Sequence, residues 1–408
     1  MAQPGAAGLR SSSYVAEGQT MEQRTTIPFW RDVRVLSILS QIAFVLIVAA
    51  LAGFLYANLS TAMRQRGLAA GFGYLRLESG FEIGEGLIPY RPSDTYGRAF
   101  LVGLLNTLLV SGVGIVLATI LGVIVGVARL STNWLVNRLA AVYIEIIRNT
   151  PLLVQLIFIY FGVFYQLPPI AQTLEFPGFI YANQRGIFVP RPIASPTFLP
   201  WLAFLAAGIV IAIFLWKFSP RLFKSPSMLA PVLVAVVAAL LIPTLGWMLV
   251  GAPPLTAEIP IRERFNFRGG LVLSCEFNAV LAGLVLYTAG FIAEVVRGGI
   301  QAIQRGQIEA ANALGLSSAQ ILRLVIFPQA MRVIVPPLTS QYLNLAKNSS
   351  LAVAIGFPDL FSVNQTIANQ TGAPVPAIAM VMATYLLMSL LTSLVMNIYN
   401  RSVQILEK

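Results

Sequence analysis

The sequence predicts an all-α, polytopic integral membrane helical bundle with about eight transmembrane helices. Two observations carry that prediction. Of 408 residues, 57% are hydrophobic and only 11% charged, with mean hydropathy +0.77; soluble domains carry about 25% charged residues. The apolar residues are also gathered in runs long enough to cross a bilayer, separated by loops with turn residues and charge.

Residues 1–35 are polar and rich in Ser, Gln and Gly, and read as a cytoplasmic arm. The first apolar run, 36–58, begins too late and runs too long for a secretory signal, so it reads as a span. A loop to about 97 follows, and 98–400 form the main transmembrane domain. The second span, 100–128, carries Gly103, Gly112, Gly114, Gly122 and Gly126, small residues that let helices approach closely in lipid. A segment at 139–148 precedes a third span that Pro151 opens and that ends near 167. The proline-rich stretch 168–200 reads as a loop. Two further spans at 201–216 and 228–250 form an inserted helix pair. The sixth span is 271–296, the seventh 330–357, and the eighth 375–398.

Charge orients the bundle. With the N-terminus inside, sixteen basic residues fall on the cytoplasmic side and ten on the longer outer loops, a bias that fits both termini inside. The net charge of +11 is scattered over loops, without the basic, aromatic-lined face that nucleic acid requires. Histidine is absent and Cys275 is the single cysteine, which excludes histidine-based acid–base chemistry, histidine metal sites and intrachain disulfides. Cys275 reads as a small buried apolar side chain. None of the four lysines follows a glycine, so the chain lacks the Gly-Lys-Ser/Thr loop that cradles nucleotide phosphates.

The segment 297–320 breaks this pattern of spans. The sixth span is expected to stop at Gly298–Gly299, and a short polar helix to follow, with Glu309 in its first turn complementing the positive helix end. Ile308, Ala311 and Leu314 share one face at helical spacing. Gly315 ends the helix, and Ser317-Ser318-Ala319-Gln320 reads as a capping box opening the next one, whose apolar run Pro328 punctuates. A stubby helix between two glycine elbows suits a docking knob at the membrane surface.

Polar residues near the spans are candidates for function. Glu145 and Arg148 are three residues apart and able to pair beside Pro151. Lys347, within an apolar run, is costly in lipid; a functional role and a structural pairing with an acid are both open. Glu294 and Arg297 read as an intrahelical pair at the end of the sixth span, and Glu276 as solvated at its other end.

Glu309-Ala310-Ala311 with Gly315 and Pro328 resembles the "EAA…G…P" loop of permease subunits of ABC importers. RNTPLLVQ (148–155) and KNSSL (347–351) resemble elements of polar amino acid permeases. The inserted helix pair, FNFRGG (265–270) and NQTG (369–372) look closest to the general L-amino acid branch. This resemblance implies a type I (MetI-like) importer permease fold in a bacterial inner membrane. It implies a second permease subunit, homologous or identical, cytoplasmic ATP-binding subunits that hold ATP and Mg, and a periplasmic amino acid-binding protein. The chain itself would hold no cofactor and catalyse nothing. Gly306, Glu309, Ala310, Ala311, Gly315 and Leu316 would couple to the ATPase. Asn106, Gln155, Asn344 and Lys347 are candidates for the substrate path, and Glu145, Arg148, Pro151, Glu294 and Arg297 for structural or gating roles. A self-sufficient secondary transporter or channel is the alternative, although ion-coupled carriers place acids near the midplane and the acids here lie toward span ends.

Overall fold

The computed structural model describes residues 33–65, 71–222, 229–263 and 266–403. The arm 1–32, Lys224 and the tail beyond 403 lie outside the described residues. The chain divides into two units, Met1–Ala70 and Gly71–Lys408. The described residues of the first form helix α1 (Val33–Gln65), largely apolar and exposed along its length within its own unit.

In the second unit, α2 (Tyr96–Ala128), α3 (Trp134–Asn149) and α4 (Leu152–Ile159) are followed by the pair α5 (Phe198–Leu222) and α6 (Leu229–Val250). Then come α7 (Cys275–Gln301), α8 (Arg305–Ala313), α9 (Ser318–Ile321), α10 (Phe327–Asn348), α11 (Leu360–Thr371) and α12 (Pro374–Val403). Among the described residues six helices are long and apolar enough to cross a membrane, or seven if the bent pair α3–α4 is one span. The third span is bent by 106° at its proline, so α3 and α4 make a crossing only if they are taken together. Helix α6 has 22 residues, of which Val234–Val250 enter this count.

Helices α2 and α7 form the centre. A Cβ on Gly114 would meet Leu281, one on Gly122 would lie 2.6 Å from Ile292 Cβ, and one on Gly126 2.7 Å from the Ala293 carbonyl. The paired numbers rise together, so the two helices run parallel, with backbones close enough at Gly122 and Gly126 that only glycine fits. Helix α10 lies antiparallel to α2, with Gly114 against Leu345 and Thr119 Oγ1 2.9 Å from Tyr342 Oη. Helix α11, in a stretch expected to be loop, is also antiparallel: Gly103 meets Val363, and Tyr96 Oη donates to Gln370 Oε1 at 3.2 Å. The ends of α2 and α7 at Ala128 and Gln301 therefore share one end of the bundle, and α11 marks the other. Apolar side chains such as Val116, Ile120 and Ile124 of α2, and Leu386, Leu390 and Leu394 of α12, stay exposed, as lipid-facing surface requires.

The expectation of loop at 168–200 is corrected by short strands. β1 (Leu174–Phe176), β2 (Ile180–Asn183), β3 (Gly186–Val189) and β8 (Leu271–Leu273) form an antiparallel sheet in that order, and β4 (Arg191–Ala194) pairs with β5 (Leu255–Glu258). The last strands, β6 (Ile261–Arg262) and β7 (Phe267–Arg268), pair with each other. Strands this short, interrupted by prolines, give too little period-two alternation to read in advance. The sheet leads directly into α7, where Cys275 is 4% exposed. The inserted pair α5–α6 packs on itself, with Gly246 against the Phe204 ring and Trp201 Nε1 donating to the Pro243 carbonyl at 3.0 Å.

Candidate functional site

The elbow at the Gln301 end differs from the sequence expectation at its first corner. Helix α7 continues through Gly298–Gly299 to Gln301, and the chain turns at Ala302–Gln304 instead. Gly299 serves packing, because a Cβ there would collide with Ile334 of α10. Glu294 and Arg297 form an ion pair, with Arg297 Nε donating to Glu294 Oε2 at 3.0 Å and a second nitrogen to Gln301 Oε1 at 2.5 Å. That chain of contacts braces the last two turns of α7.

Helix α8 follows. Glu309 is its fifth residue and no acid occupies the first turn, so the helix-end electrostatic reading does not hold. Ala311, 4% exposed, anchors the short helix, while Gly306, Glu309 and Ala310 point outward and Leu316 is half-buried. Leu314 does not share the buried face of Ala311: it is 81% exposed. The second corner is at Gly315, whose φ of +74° lies in the left-handed region that side chains disfavour. The capping box then forms: Gln320 N–H donates to Ser317 Oγ at 3.4 Å, and Ser317 N–H to Gln320 Oε1 at 2.9 Å. Pro328 does not end a helix, because a π turn at Leu322–Ile326 precedes it and 318–355 forms one span. The elbow thus presents the small Gly306, Ala310, Ala313 and Gly315 beside the polar Arg305, Gln307, Glu309 and Asn312, with one bare leucine, between two long helices.

A second feature is the corner between α3 and α4. Thr150, before a proline, is extended at φ −104°, ψ 128°, and Pro151 caps α4. Gln155 Nε2 donates to the Ile147 and Thr150 carbonyls, each at 2.9 Å, satisfying acceptors that the end of α3 leaves open. The expected Glu145–Arg148 pair is absent among the described residues. Arg148 instead sits over the Phe291 ring of α7, 5.3 Å from its centroid.

The four path candidates do not converge. Asn106 is buried and donates both amide hydrogens, to the Glu85 and Pro358 carbonyls at 2.9 Å each, which ties α2 to the segments on either side. Gln155 is buried at the α3–α4 corner. Asn344 and Lys347 are both exposed on α10, and among the described residues Lys347 makes no ion pair with an acid.

A cavity of about 490 Å³ at the α11 end went unseen in the sequence. Glu82, Glu85, Ser274, Glu276, Ser362 and Thr366 line it. Glu276 accepts a hydrogen bond from Tyr160 Oη at 2.7 Å, so it is held rather than freely solvated. Burial raises the Glu85 carboxyl above the usual carboxylate range; its hydrogen bond from the Ser274 hydroxyl opposes the shift, and Glu276 adds to it. Nearby, Asp359 is fully buried as the cap of α11, and burial pushes its carboxyl up to about 6 against the backbone N–H groups of Ser362 and Phe361. These acids are far apart in sequence, and no local pattern announces their meeting.

Residues 118–405 match the family described as binding-protein-dependent transport system inner membrane component. The chain belongs to this family. The match takes in α3, α4, α7, the elbow, α10, α11 and α12, while Glu82, Glu85 and Asn106 precede it. The permease is similar to the putative amino-acid ABC transporter permease protein YhdX of Escherichia coli (strain K12), at 45% identity over 91% of the chain and 94% of that protein. It is 42% identical to the general L-amino acid transport system permease protein AapQ of Rhizobium johnstonii, over 92% of the chain and 94% of the relative. It is also 38% identical to the glutamate/glutamine/aspartate/asparagine transport system permease protein BztB of Rhodobacter capsulatus, over 92% of the chain and 96% of that protein.

Proposed function

We propose that this permease is the membrane subunit of an ATP-driven amino acid importer. It pairs with a second permease, identical or homologous, in a bacterial inner membrane with both termini cytoplasmic. A separate cytoplasmic ATPase docks at the elbow, and an external binding protein delivers L-amino acids to the opposite face. The observation that carries this reading is the elbow itself: a nine-residue helix, exposed at Glu309 and Ala310 and anchored by Ala311, joined at its far end to a span by the left-handed Gly315. Amino acids as cargo are supported by the names of the three relatives. Gly306, Glu309, Ala310, Ala311, Gly315 and Leu316, together with the bare Leu314, supply the contact through apolar fit in a cleft of the ATPase. The Glu294–Arg297 brace and the Arg148–Phe291 contact pass its movement to α7 and α3.

The experiment is to purify the chain in mild detergent, identify what accompanies it, and assay ATP hydrolysis in membranes. The expected result is a co-purifying ATPase whose hydrolysis rises several-fold when amino acid-loaded binding protein is added. Uptake that needs no ATPase and follows an ion gradient would instead establish the secondary-transporter alternative.

A further inference from the structure

The short sheet at the α11 end leaves one apolar face uncovered. Residues opposite one another across antiparallel strands share a face, as do alternate residues along each strand. The register therefore gathers Leu174, Phe176, Ile180, Ile187, Val189 and Leu271 on one side. The other side is filled: the Tyr181 and Phe188 rings meet Phe267 of β7, with centroids 5.1 and 4.3 Å from it. On the apolar side Leu174 and Leu271 are exposed, and Phe176 is 51% exposed. The turn between β1 and β2 adds Phe179, 55% exposed and held at φ +60°, a left-handed backbone that a bulky residue rarely adopts. Strain of this kind gathers at binding sites and clamps, and here it sets a bare ring at the tip of the sheet.

The backbone and the neighbours of this face decide what covers it. Strand β1 is an edge and pairs with β2 alone, and hydrocarbon does not tolerate an open edge of unpaired N–H and C=O groups. Strand β8 runs straight into Ser274, which lines the acidic cavity, so the sheet borders a polar mouth. The face therefore stands in water, where an apolar patch marks a protein contact. Beside it Arg185 and Arg268 are exposed and pair with no acid among the described residues, which calls for acidic groups on the rim of the partner. We propose that this face, with Phe179 at its tip, is the docking surface for the external amino acid-binding protein, whose matching patch is apolar with an acidic rim. This rests on the importer reading above and adds to it the surface that receives the carrier of the cargo. Phe176 and Phe179 anchor the contact and the arginines steer its approach. A protein seated there stands at the cavity mouth, on the side from which cargo arrives.

The test uses the whole transporter in lipid nanodiscs and the purified, amino acid-loaded binding protein that stimulates its ATP hydrolysis in the assay above. Affinity and stimulation are measured for the parental chain, Phe179→Gly and Phe176→Thr. Glycine suits the left-handed turn and threonine suits a strand, so both variants keep the sheet and lose only a ring. The expected result is that each needs about tenfold or more binding protein for half-maximal stimulation, with a matching rise in Kd. Maximal stimulation, reached with excess binding protein, stays within about twofold of parental. Parental affinity in either variant would overturn the proposal. So would a variant transporter that separates into single permeases in gel filtration, since the face would then join two permease subunits. A bimane dye on Phe179→Cys, made with Cys275→Ala, that is quenched by nitroxide-labelled lipid would also overturn it, because the tip would then lie in the bilayer. A parental transporter that responds to no external protein would overturn the importer reading itself, and this proposal with it.

Discussion

Gly315→Val is expected to abolish ATP-dependent uptake while the chain still reaches the membrane in near-parental amount. The φ of +74° at this position is readily adopted by glycine, and nothing lies within 4 Å of the place a Cβ would take. Strain rather than collision therefore sets the effect. A left-handed backbone costs an L-residue roughly 1–2 kcal/mol, and a β-branched one is a rarer occupant still. That is small beside a domain's total stability of about 5–15 kcal/mol, so the bundle survives. The elbow can relieve the strain by leaving its left-handed turn, which re-aims α8 relative to the rod that starts at Ser317. Uptake assays on membrane vesicles, with chain abundance measured in the same preparation, check this. Parental uptake would show that the angle at Gly315 does not matter for coupling.

The second large effect lies between the two central helices. Gly122→Leu should sharply lower the thermal stability of the detergent-solubilised chain, because the first added carbon would lie 2.6 Å from Ile292 Cβ and 3.1 Å from the Ala289 carbonyl. Neither atom is the end of a flexible side chain, so α2 and α7 must separate. Overpacking of a tight contact costs about 1–3 kcal/mol, and a four-carbon side chain at a helix crossing belongs at the upper end. Gly112→Leu is the internal control: it belongs to the same helix and the same run of glycines, but its Cβ would meet nothing within 4 Å. Its expected effect is within about 0.5 kcal/mol. The single thiol reports both, since Cys275 is buried and reacts with a maleimide dye only as the structure opens. Equal melting curves for the two variants would contradict the packing described here.

The same glycines show what the sequence could and could not reveal. Their clustering on one apolar run was enough to predict close helix approach, because in lipid that is what small residues are for. It could not say that Gly112 stands apart from the others, since that depends on the rotation of α2 against a neighbour more than 150 residues away. Gly298–Gly299 shows the reverse: a glycine pair that reads as a break stays helical, Gly299 is the contact surface for Ile334, and tertiary packing overrides local propensity. The capping box at Ser317 and the turn at Gly315 were legible because both are local, decided within four residues. The proline corner at Thr150–Pro151 was half legible. A helix start could be read there, but not the 106° bend, which Gln155 closes by reaching back to two carbonyls. The acidic cavity was not legible at all, because Glu85 and Glu276 come from segments that only the folded chain brings together.

The central claim is that this elbow receives work from a separate motor. The direct measurement is photocrosslinking from a benzophenone-maleimide attached to the thiol of Ala310→Cys, made with Cys275 replaced by Ala, in membranes that contain every subunit. Ala310 is exposed on the outward face of α8, so a thiol there is accessible without disturbing the Ala311 anchor. The account predicts a crosslinked band that contains this chain and the ATPase, and whose yield changes when ATP is added. A thiol that couples to no subunit, or that reacts in intact cells with a reagent confined to the outside, would contradict it.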